Sequence, residues 1–459
     1  MRFSSLAARL TLAGSLALPL GAAQAADLKE IYNLAVTGDP QLAAAKATYL
    51  SKHEVIAQAR AGLLPSVVAQ ARTTDNRSTS PTIDSSFNLI TKTQTYNSNN
   101  WGASLQQPIF NLASWFRFEQ SKSVEMQARD TFAAEQQNLI YRVADAYLNI
   151  LEAQDRLSAA NAARDAVKRQ LEQVQQRFDV GLVAVTDVLE STAAFDSSTV
   201  NVIEAKGAQS ITFETLLRLT GKNFEEVDGL SGDFPVNYPN PRNEDAWVKR
   251  AMEGNLTIAA AQEGVKSARR GLEIARSGHL PTVTADVSYG ESRSNQQSVF
   301  SGKTKSTSAS LSLSVPLFSG FGTHAQSVQA SYDLEAAQKN LDLSRATVVV
   351  NTRTLYSAID TDVARVQATL RGIESSQSAL DATQTGYQVG TRNIVDVLQA
   401  QQNLYQSQYQ YASARYQYIR DTLKLKQAVG SLSPDDIYNL NKYIVASKAV
   451  GKVKPTAAK

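Results

Sequence analysis

The stretches Arg177–Leu189, RFDVGLVAVTDVL, and Gly386–Leu398, GYQVGTRNIVDVL, decide the fold of this chain. They lie 209 residues apart, and both contain a Val-Gly pair, an aliphatic residue four positions after the Gly, and an Asp-Val-Leu run. A match of this order indicates an internal repeat. Each copy has the residues of a turn between two helices.

The residues of each turn are suited to helix ends. Gly181 and Gly390 tolerate the left-handed conformation that stops an incoming helix. Thr186, Asp187 and Asp396 carry short oxygen acceptors suited to starting the outgoing helix. An ordinary helical hairpin needs no more than this, so the length of the flanking helices decides the interpretation.

The helices that lead to the turns are unusually long. Residues 112–180 contain neither Pro nor Gly, and small or apolar residues recur at heptad spacing through Leu139, Val143, Ala146 and Ile150. At about 1.5 Å per residue this helix spans roughly 100 Å. We expect long helices at 112–180 and 323–389, turns at 180–187 and 389–396, and return helices at 187–220 and 396–429.

The N-terminus has the pattern of a secretory signal. Arg2 and Arg9 precede a short apolar run that ends at Ala23-Gln24-Ala25, so residues 1–25 are predicted to be a signal peptide cleaved after Ala25. The full chain of 459 residues has a formal charge of +3, and removal of Arg2 and Arg9 with the signal would leave the exported chain near neutrality. Nucleic acid is therefore not an expected partner. No stretch is long and apolar enough for a transmembrane helix, so any membrane segment is expected to be a strand.

Alternating patterns follow Pro65 and Pro281. Two strand hairpins are predicted at about 64–108 and 281–316, with polar loops at about 75–95 and 292–306. Each hairpin has an apolar face, a polar face and aromatic residues at one end, which suits a transmembrane barrel. Four strands do not close a barrel, and an open edge is not tolerated in lipid, so the remaining strands are expected from other copies of the chain.

The repeat sets the predicted domain boundaries. Repeat 1 covers residues 26–221 and repeat 2 covers 246–430, with a loop-rich linker at 222–245 and a small region with a disordered tail at 431–459. Residues 445–459 are assigned to the tail because they contain four Lys and little apolar content.

Catalytic and metal-binding patterns are weak. His53, His279 and His324 are scattered, so no metal site is expected. Gly320, Gly322 and the residues after them match a dinucleotide fingerprint in letters, but the heptad helix that follows belongs to no βαβ unit. The sequence therefore predicts neither an enzyme nor a cofactor.

The exported chain resembles the TolC family of outer-membrane efflux ducts in its two turns, in Ala414-Arg415-Tyr416 and in its duplicated hairpins. The resemblance implies a mixed α and β fold. Three chains would form a twelve-stranded antiparallel transmembrane β-barrel, four strands per chain, continued by a twelve-helix α-barrel tunnel through the periplasm. The expected function is passive export in a tripartite efflux or type I secretion system. The expected partners are two further copies, outer-membrane lipid, a periplasmic adaptor and an inner-membrane transporter.

The same resemblance implies a gate at the helix tips. Tyr387 would bond to Asp187, and Arg392 to Thr186, with Arg415 further from the tip. Asp396 would face the pore, while the second pore aspartate of the family is replaced by Gln399, whose repeat counterpart is Glu190. The second acidic ring is thus either lost or moved to the neighbouring helix. The tips that would contact the adaptor are Val180, Gly181, Leu182, Val389, Gly390 and Thr391.

Two alternatives remain open from the sequence. A monomeric porin would need at least eight strands, and four are visible. A periplasmic coiled-coil adaptor or structural protein would use the hairpins as soluble β-structure.

Overall fold

The computed structural model describes residues 25–295 and 302–453. The predicted signal peptide therefore lies outside the described residues except for Ala25. Residues 296–301, in the predicted second polar loop, and residues 454–459, in the predicted tail, also lie outside them.

The described elements occur in two matching series. The first is α1 (Leu28–Gly38), α2 (Pro40–Ala61), β1 (Ser66–Ile83), β2 (Leu89–Phe110), α3 (Leu112–Asp179) and α4 (Val185–Thr220). After β3 (Glu226–Leu230), the second is α5 (Glu244–Gly254), α6 (Leu256–Ser277), β4 (Thr282–Ser294), β5 (Gly302–Ser314), α7 (Gly322–Gln388) and α8 (Ile394–Ala428). The chain continues with α9 (Pro434–Asn441) and β6 (Ile444–Gly451).

The long helices start and end where local signals place them. α3 has 68 residues and α7 has 67, and both end within one residue of the predicted bounds. The Asn111 side chain accepts a hydrogen bond from the Ser114 amide at 3.0 Å and so caps α3. No helix in the described part of the chain is both long and apolar enough to cross a membrane.

Strands β1, β2, β4 and β5 form one antiparallel sheet in that order. Cross-strand pairing places Val67, Leu105, Val287 and Ala309 in one row. The neighbouring row contains Val68, Ser104, Ser288 and Ser308, and the last two hydroxyls lie 2.7 Å apart. Because side chains alternate between faces, the sheet has one mainly apolar face and one mainly polar face.

The predicted polar loop at 75–95 is wrong. Pairing between β1 and β2 continues without interruption from Ser66 with Gln106 to Ile83 with Leu89. The turn is short and is stabilised by Asp84, whose carboxylate accepts the amides of Ser86 and Asn88 at 2.9 Å. Both faces of this outer part are exposed, so it lacks the apolar alternation by which sequence identifies a strand.

The main core surrounds the middle of α3 and the C-terminal part of α8. Buried side chains from α1, α5, α9 and β3 pack there, and the Tyr147 hydroxyl donates to the Asp228 carbonyl at 2.6 Å. The predicted disorder of the tail is wrong for residues 445–453, because β6 pairs with β3 through Val450 and Val227. The backbone groups on the edge of β3, a buried strand within the linker, need a hydrogen-bonding partner such as β6. No local sequence pattern in either segment predicts this pairing.

Candidate gate at the helix tips

Both turns end their incoming helices in the same way. Gly181 has φ +76° and Gly390 has φ +80°, which confirms the predicted left-handed conformation. The Leu182 amide donates to the Arg177 carbonyl, and the Thr391 amide donates to the Gly386 carbonyl, each at 2.8 Å. These six-residue closures satisfy carbonyl groups that a helix end leaves free.

The two outgoing helices start differently. The N-cap of α4 is Ala184, which provides no side-chain hydrogen bond, so the prediction that Thr186 and Asp187 act as caps is wrong. Both lie in the first turn of α4, where a carboxylate is favoured by the helix dipole. α8 begins with a capping box in which the Asn393 side chain accepts the Asp396 amide at 2.8 Å and Asp396 accepts the Asn393 amide at 3.4 Å.

An apolar cluster joins the two tips. Val174 of α3 and Ile394 and Val397 of α8 are almost fully buried. Around them pack the partly buried residues Val183, Val188, Tyr387 and Leu398. The two tips are therefore packed together as one unit by residues from both repeats.

Tyr387 packs against this cluster from the last turn of α7. Its ring lies 5.0 Å from the Arg177 guanidinium, and its hydroxyl is buried without a hydrogen-bond partner. Burial raises the pKa of this phenol, Arg177 opposes the rise, and the nearby Asp187 carboxylate adds to it. The bond from Tyr387 to Asp187 is not formed within one chain, so the expected link stays a prediction.

Arg392 lies across the end of α7 because Gly386 leaves space for it. A Cβ atom at Gly386 would meet the Arg392 Cγ at 2.8 Å. The Arg392 guanidinium approaches the Asp396 carboxylate at 3.8 Å, and no bond to Thr186 occurs among the described residues. Arg415 donates to the Ser231 carbonyl at 2.7 Å, far from the tips. The gate roles of Arg392 and Arg415 also stay predictions.

Glu190 and Gln399 lie in the wall of one cavity. This cavity, between α3, α4 and α8, has a volume of about 920 Å³. The Gln399 amide donates to Asn403 at 3.0 Å, whereas Glu190 is exposed on α4. The same cavity is therefore lined both by Gln399, where the second pore aspartate of the family is missing, and by its acidic repeat counterpart Glu190.

The predicted adaptor-contacting residues are exposed at the end of the molecule. Val180 and Val389, which correspond in the two repeats, are each 70% exposed, and Leu182 is 68% exposed. Gly181, Gly390 and Thr391 are exposed between them. Apolar side chains with this exposure on both turns are typical of a contact surface.

Sequence reasoning missed Arg177. Its repeat counterpart is Gly386, so the comparison of the two copies gives no sign of a functional arginine. The available signal was its position directly before Phe178, the counterpart of Tyr387. Elsewhere, no group of three or more His, Cys, Asp or Glu residues with metal-site geometry occurs in residues 25–295 and 302–453.

Known proteins resemble the chain along most of its length. A family model described as "Outer membrane efflux protein" matches residues 31–222 and 247–431. The outer membrane protein TolC of Vibrio cholerae is 33% identical over 427 residues, covering 92% of this chain and 95% of the relative. The alkaline protease secretion protein AprF of Pseudomonas aeruginosa is 29% identical, covering 88% of this chain and 85% of the relative.

A solved structure has the same fold. A membrane protein from Pseudomonas aeruginosa superposes with a TM-score of 0.77 at 17% identity, covering 90% of this chain and 92% of that one. The family match includes both turns and both long helices. The chain therefore belongs to the outer membrane efflux protein family.

Proposed function

We propose that three copies of this chain form one duct, through which substrates leave the cell passively. The chain is an exit duct of the outer membrane that extends into the periplasm and serves efflux or type I secretion. The observation that carries the proposal is the four-stranded sheet, which has one mainly apolar face and two open edges. The alternative of a periplasmic adaptor is not favoured, because the chain matches an outer-membrane family.

The two edges are suited to pairing between copies. β1 and β5 each pair on one side only within the described chain. They run in opposite directions, so β5 of one copy can pair with β1 of the next in an antiparallel ladder. Three copies would close a barrel of twelve strands and remove every open edge, as lipid requires.

Exposed apolar residues support contact with lipid at the same sheet. Leu311 and Leu313 on β5 are 71% and 67% exposed. Leu317 and Phe318, directly after this strand, are also exposed, and the Phe318 ring packs edge-on against Phe321. Aromatic side chains at the ends of an apolar band are typical of the boundary between lipid and water.

The helices would continue the duct. α4 carries Val200, Ile203 and Ile211 at 53 to 69% exposure on its uncovered side. Packing against α7 and α8 of a neighbouring copy would bury these residues and give a tunnel of twelve helical columns. The exposed tips would then face the periplasmic adaptor and the inner-membrane transporter, while Asp396 and the Tyr387 and Arg392 links would form the gate.

Disulfide cross-linking tests this assembly, because the chain contains no Cys. We combine Gln70→Cys on β1 with Ser308→Cys, Ser310→Cys or Ser312→Cys on β5, all on the polar face. Within one chain β1 and β5 are three strand spacings apart, about 14 Å, which exceeds the reach of a disulfide. We expect at least one pair to give bands of two and three linked chains on a non-reducing denaturing gel.

The matched control is Ser104→Cys on β2 with the same β5 substitutions. Ser104 faces the same side, but β2 has a neighbouring strand on each edge, so it should give no linked chains. If every β1–β5 pair leaves single chains only, the shared barrel is wrong.

A further inference from the structure

Asp362 on α7 and Asp421 on α8 form a buried acidic pair. Asp362 is 2% exposed and Asp421 is 7% exposed. Both line a cavity of about 790 Å³ in the groove between the two helices. The pair lies near the main core, where Ile359 and Val363 of α7 are buried.

Their oxygen atoms are incompletely satisfied. The Arg365 guanidinium donates to Asp362 Oδ1 at 3.3 Å, and the Gln417 amide donates to Asp421 Oδ2 at 2.9 Å. Asp362 Oδ2 is buried without a hydrogen-bond partner. Asp362 and Asp421 lie opposite each other where α7 packs against α8. The Ser376 and Ser407 hydroxyls meet at 3.0 Å across the same helix pair, Asp362 precedes Ser376 by 14 residues, and Asp421 follows Ser407 by 14 residues.

The nearby cations do not neutralise both acids. The side chain of Arg365 is 53% exposed and belongs to the same helix as Asp362. Arg420, next to Asp421, turns to α3, where it contacts Asp145 at 3.0 Å and Glu152 at 2.7 Å.

The charges on α5 are directed elsewhere. Glu244 and Asp245 pair with Arg353 of α7, Glu244 at 3.1 Å and Asp245 at 3.7 Å. Arg242, just before α5, approaches Asp360 at 3.7 Å. Arg365 is therefore the one cation within 4.0 Å of the acidic pair in the described part of the chain.

We propose that Asp362 and Asp421 share one proton and so form a proton-binding clamp between α7 and α8. Two ionised carboxylates that lie opposite each other in a buried site repel each other. A proton taken from water through the open groove gives one acid an O–H group, which donates to the other acid and satisfies the orphaned oxygen. Release of the proton to water leaves two facing anions.

The electrostatics support this assignment. Burial and the Asp421 carboxylate raise the pKa of Asp362 to about 6. Because this pKa is raised on folding, the stabilising contact is complete below the pKa of the unfolded chain, near 4, and is lost as the pH rises through about 6. The contact between α7 and α8 is therefore more stable in mildly acidic than in neutral surroundings. This effect is independent of the contacts that hold the helix tips together.

Infrared difference spectra of the detergent-solubilised protein test the shared proton directly. We expect a carbonyl stretch of a protonated carboxylic acid that disappears with a midpoint near pH 6. Asp362→Asn and Asp421→Asn should each remove this titration. Asp381→Asn is the matched control, because Asp381 is an exposed acid on α7 that accepts a bond from Gln377 at 2.9 Å, as Asp421 does from Gln417.

Hydrogen exchange of the α7 and α8 amides near the pair adds a structural measurement. After correction for intrinsic exchange, protection should fall between pH 5 and pH 7.5 in the wild type and the control but not in Asp362→Asn. The proposal would be overturned by a carbonyl band that is present only below pH 4.5. It would also be overturned if Asp362→Asn and Asp421→Asn both kept the wild-type titration. Binding of calcium at pH 7 that depends on both acids, without the infrared band, would also overturn it.

Discussion

The guanidinium of Arg177 lies 5.0 Å from the centre of the Tyr387 ring, so the last turn of α3 is joined to the last turn of α7. This contact crosses from one repeat to the other at the end of the molecule where the gate is proposed. Contacts of this type contribute about 0.5–1 kcal/mol at exposed sites.

Arg177→Gln should therefore loosen the closed tips. We expect the probability of the open state in planar-bilayer recordings to rise about two- to fivefold, in line with that contact energy. Lys168→Gln is the control, since Lys168 is an exposed residue of the same helix with only a weak contact to Glu172. Equal open probabilities in Arg177→Gln and the control would remove Arg177 from the gate.

Tyr387→Phe combined with Arg392→Ser should raise the conductance of the duct. Neither side chain forms its predicted link within one chain, so their gate role requires bonds between copies or a rearranged closed state. A double variant with closed-state conductance would refute the link assignment. In that case Tyr387→Phe alone should be neutral or stabilising, because it removes a buried hydroxyl without a partner.

Asp396→Asn should weaken the preference of the duct for cations. The substitution removes a charge but keeps an oxygen that can accept the Asn393 amide, so the start of α8 is retained. Selectivity is measured from reversal potentials in a salt gradient. Asp396→Ala should give the same loss of selectivity, and an unchanged cation preference in both variants would place Asp396 outside the constriction.

Gly390→Ala should destabilise the second tip by about 1–2 kcal/mol. An alanine there must adopt φ near +80°, a conformation that costs side chains with a Cβ atom about that much. Gly372→Ala is the control on the same helix pair, because a Cβ there meets nothing within 4 Å and helix propensity predicts a gain of up to about 1 kcal/mol. Thermal unfolding followed by circular dichroism should separate the two variants in opposite directions.

Asp39→Asn should reduce stability by about 2 kcal/mol, mainly at neutral pH. Asp39 caps α2 at the Leu42 amide and binds Arg142 at 2.6 Å. Burial opposes its ionisation, but the bonds from Arg142 and Leu42 outweigh burial and lower the pKa of Asp39.

The contribution of Asp39 should therefore be present above its unfolded pKa, near 4, and be lost as the pH falls through the lower folded value. The measurement is the difference in unfolding temperature between wild type and variant from pH 3 to pH 8. Glu54→Gln, an exposed acid on the same helix, serves as the control and should show no comparable difference.

Local features of the sequence predicted the large elements. The bounds of α3 and α7 and the left-handed glycines depend on residues within a few positions of each other, and the repeat shows each feature twice. The cap of α4 was predicted wrongly, because Thr186 and Asp187 are good acceptors but Ala184 has the capping position. The outer part of the first hairpin was missed because exposed strands carry no apolar alternation.

The sequence by itself determined two long-helix hairpins, two strand hairpins and their duplication, since these follow from periodicity and turn chemistry at short range. Only the tertiary structure decided that Arg177 meets Tyr387, that the tail pairs with the linker, and that Asp362 faces Asp421. Those pairs are separated by tens to hundreds of residues, so their contact depends on how the helices pack and not on local preference.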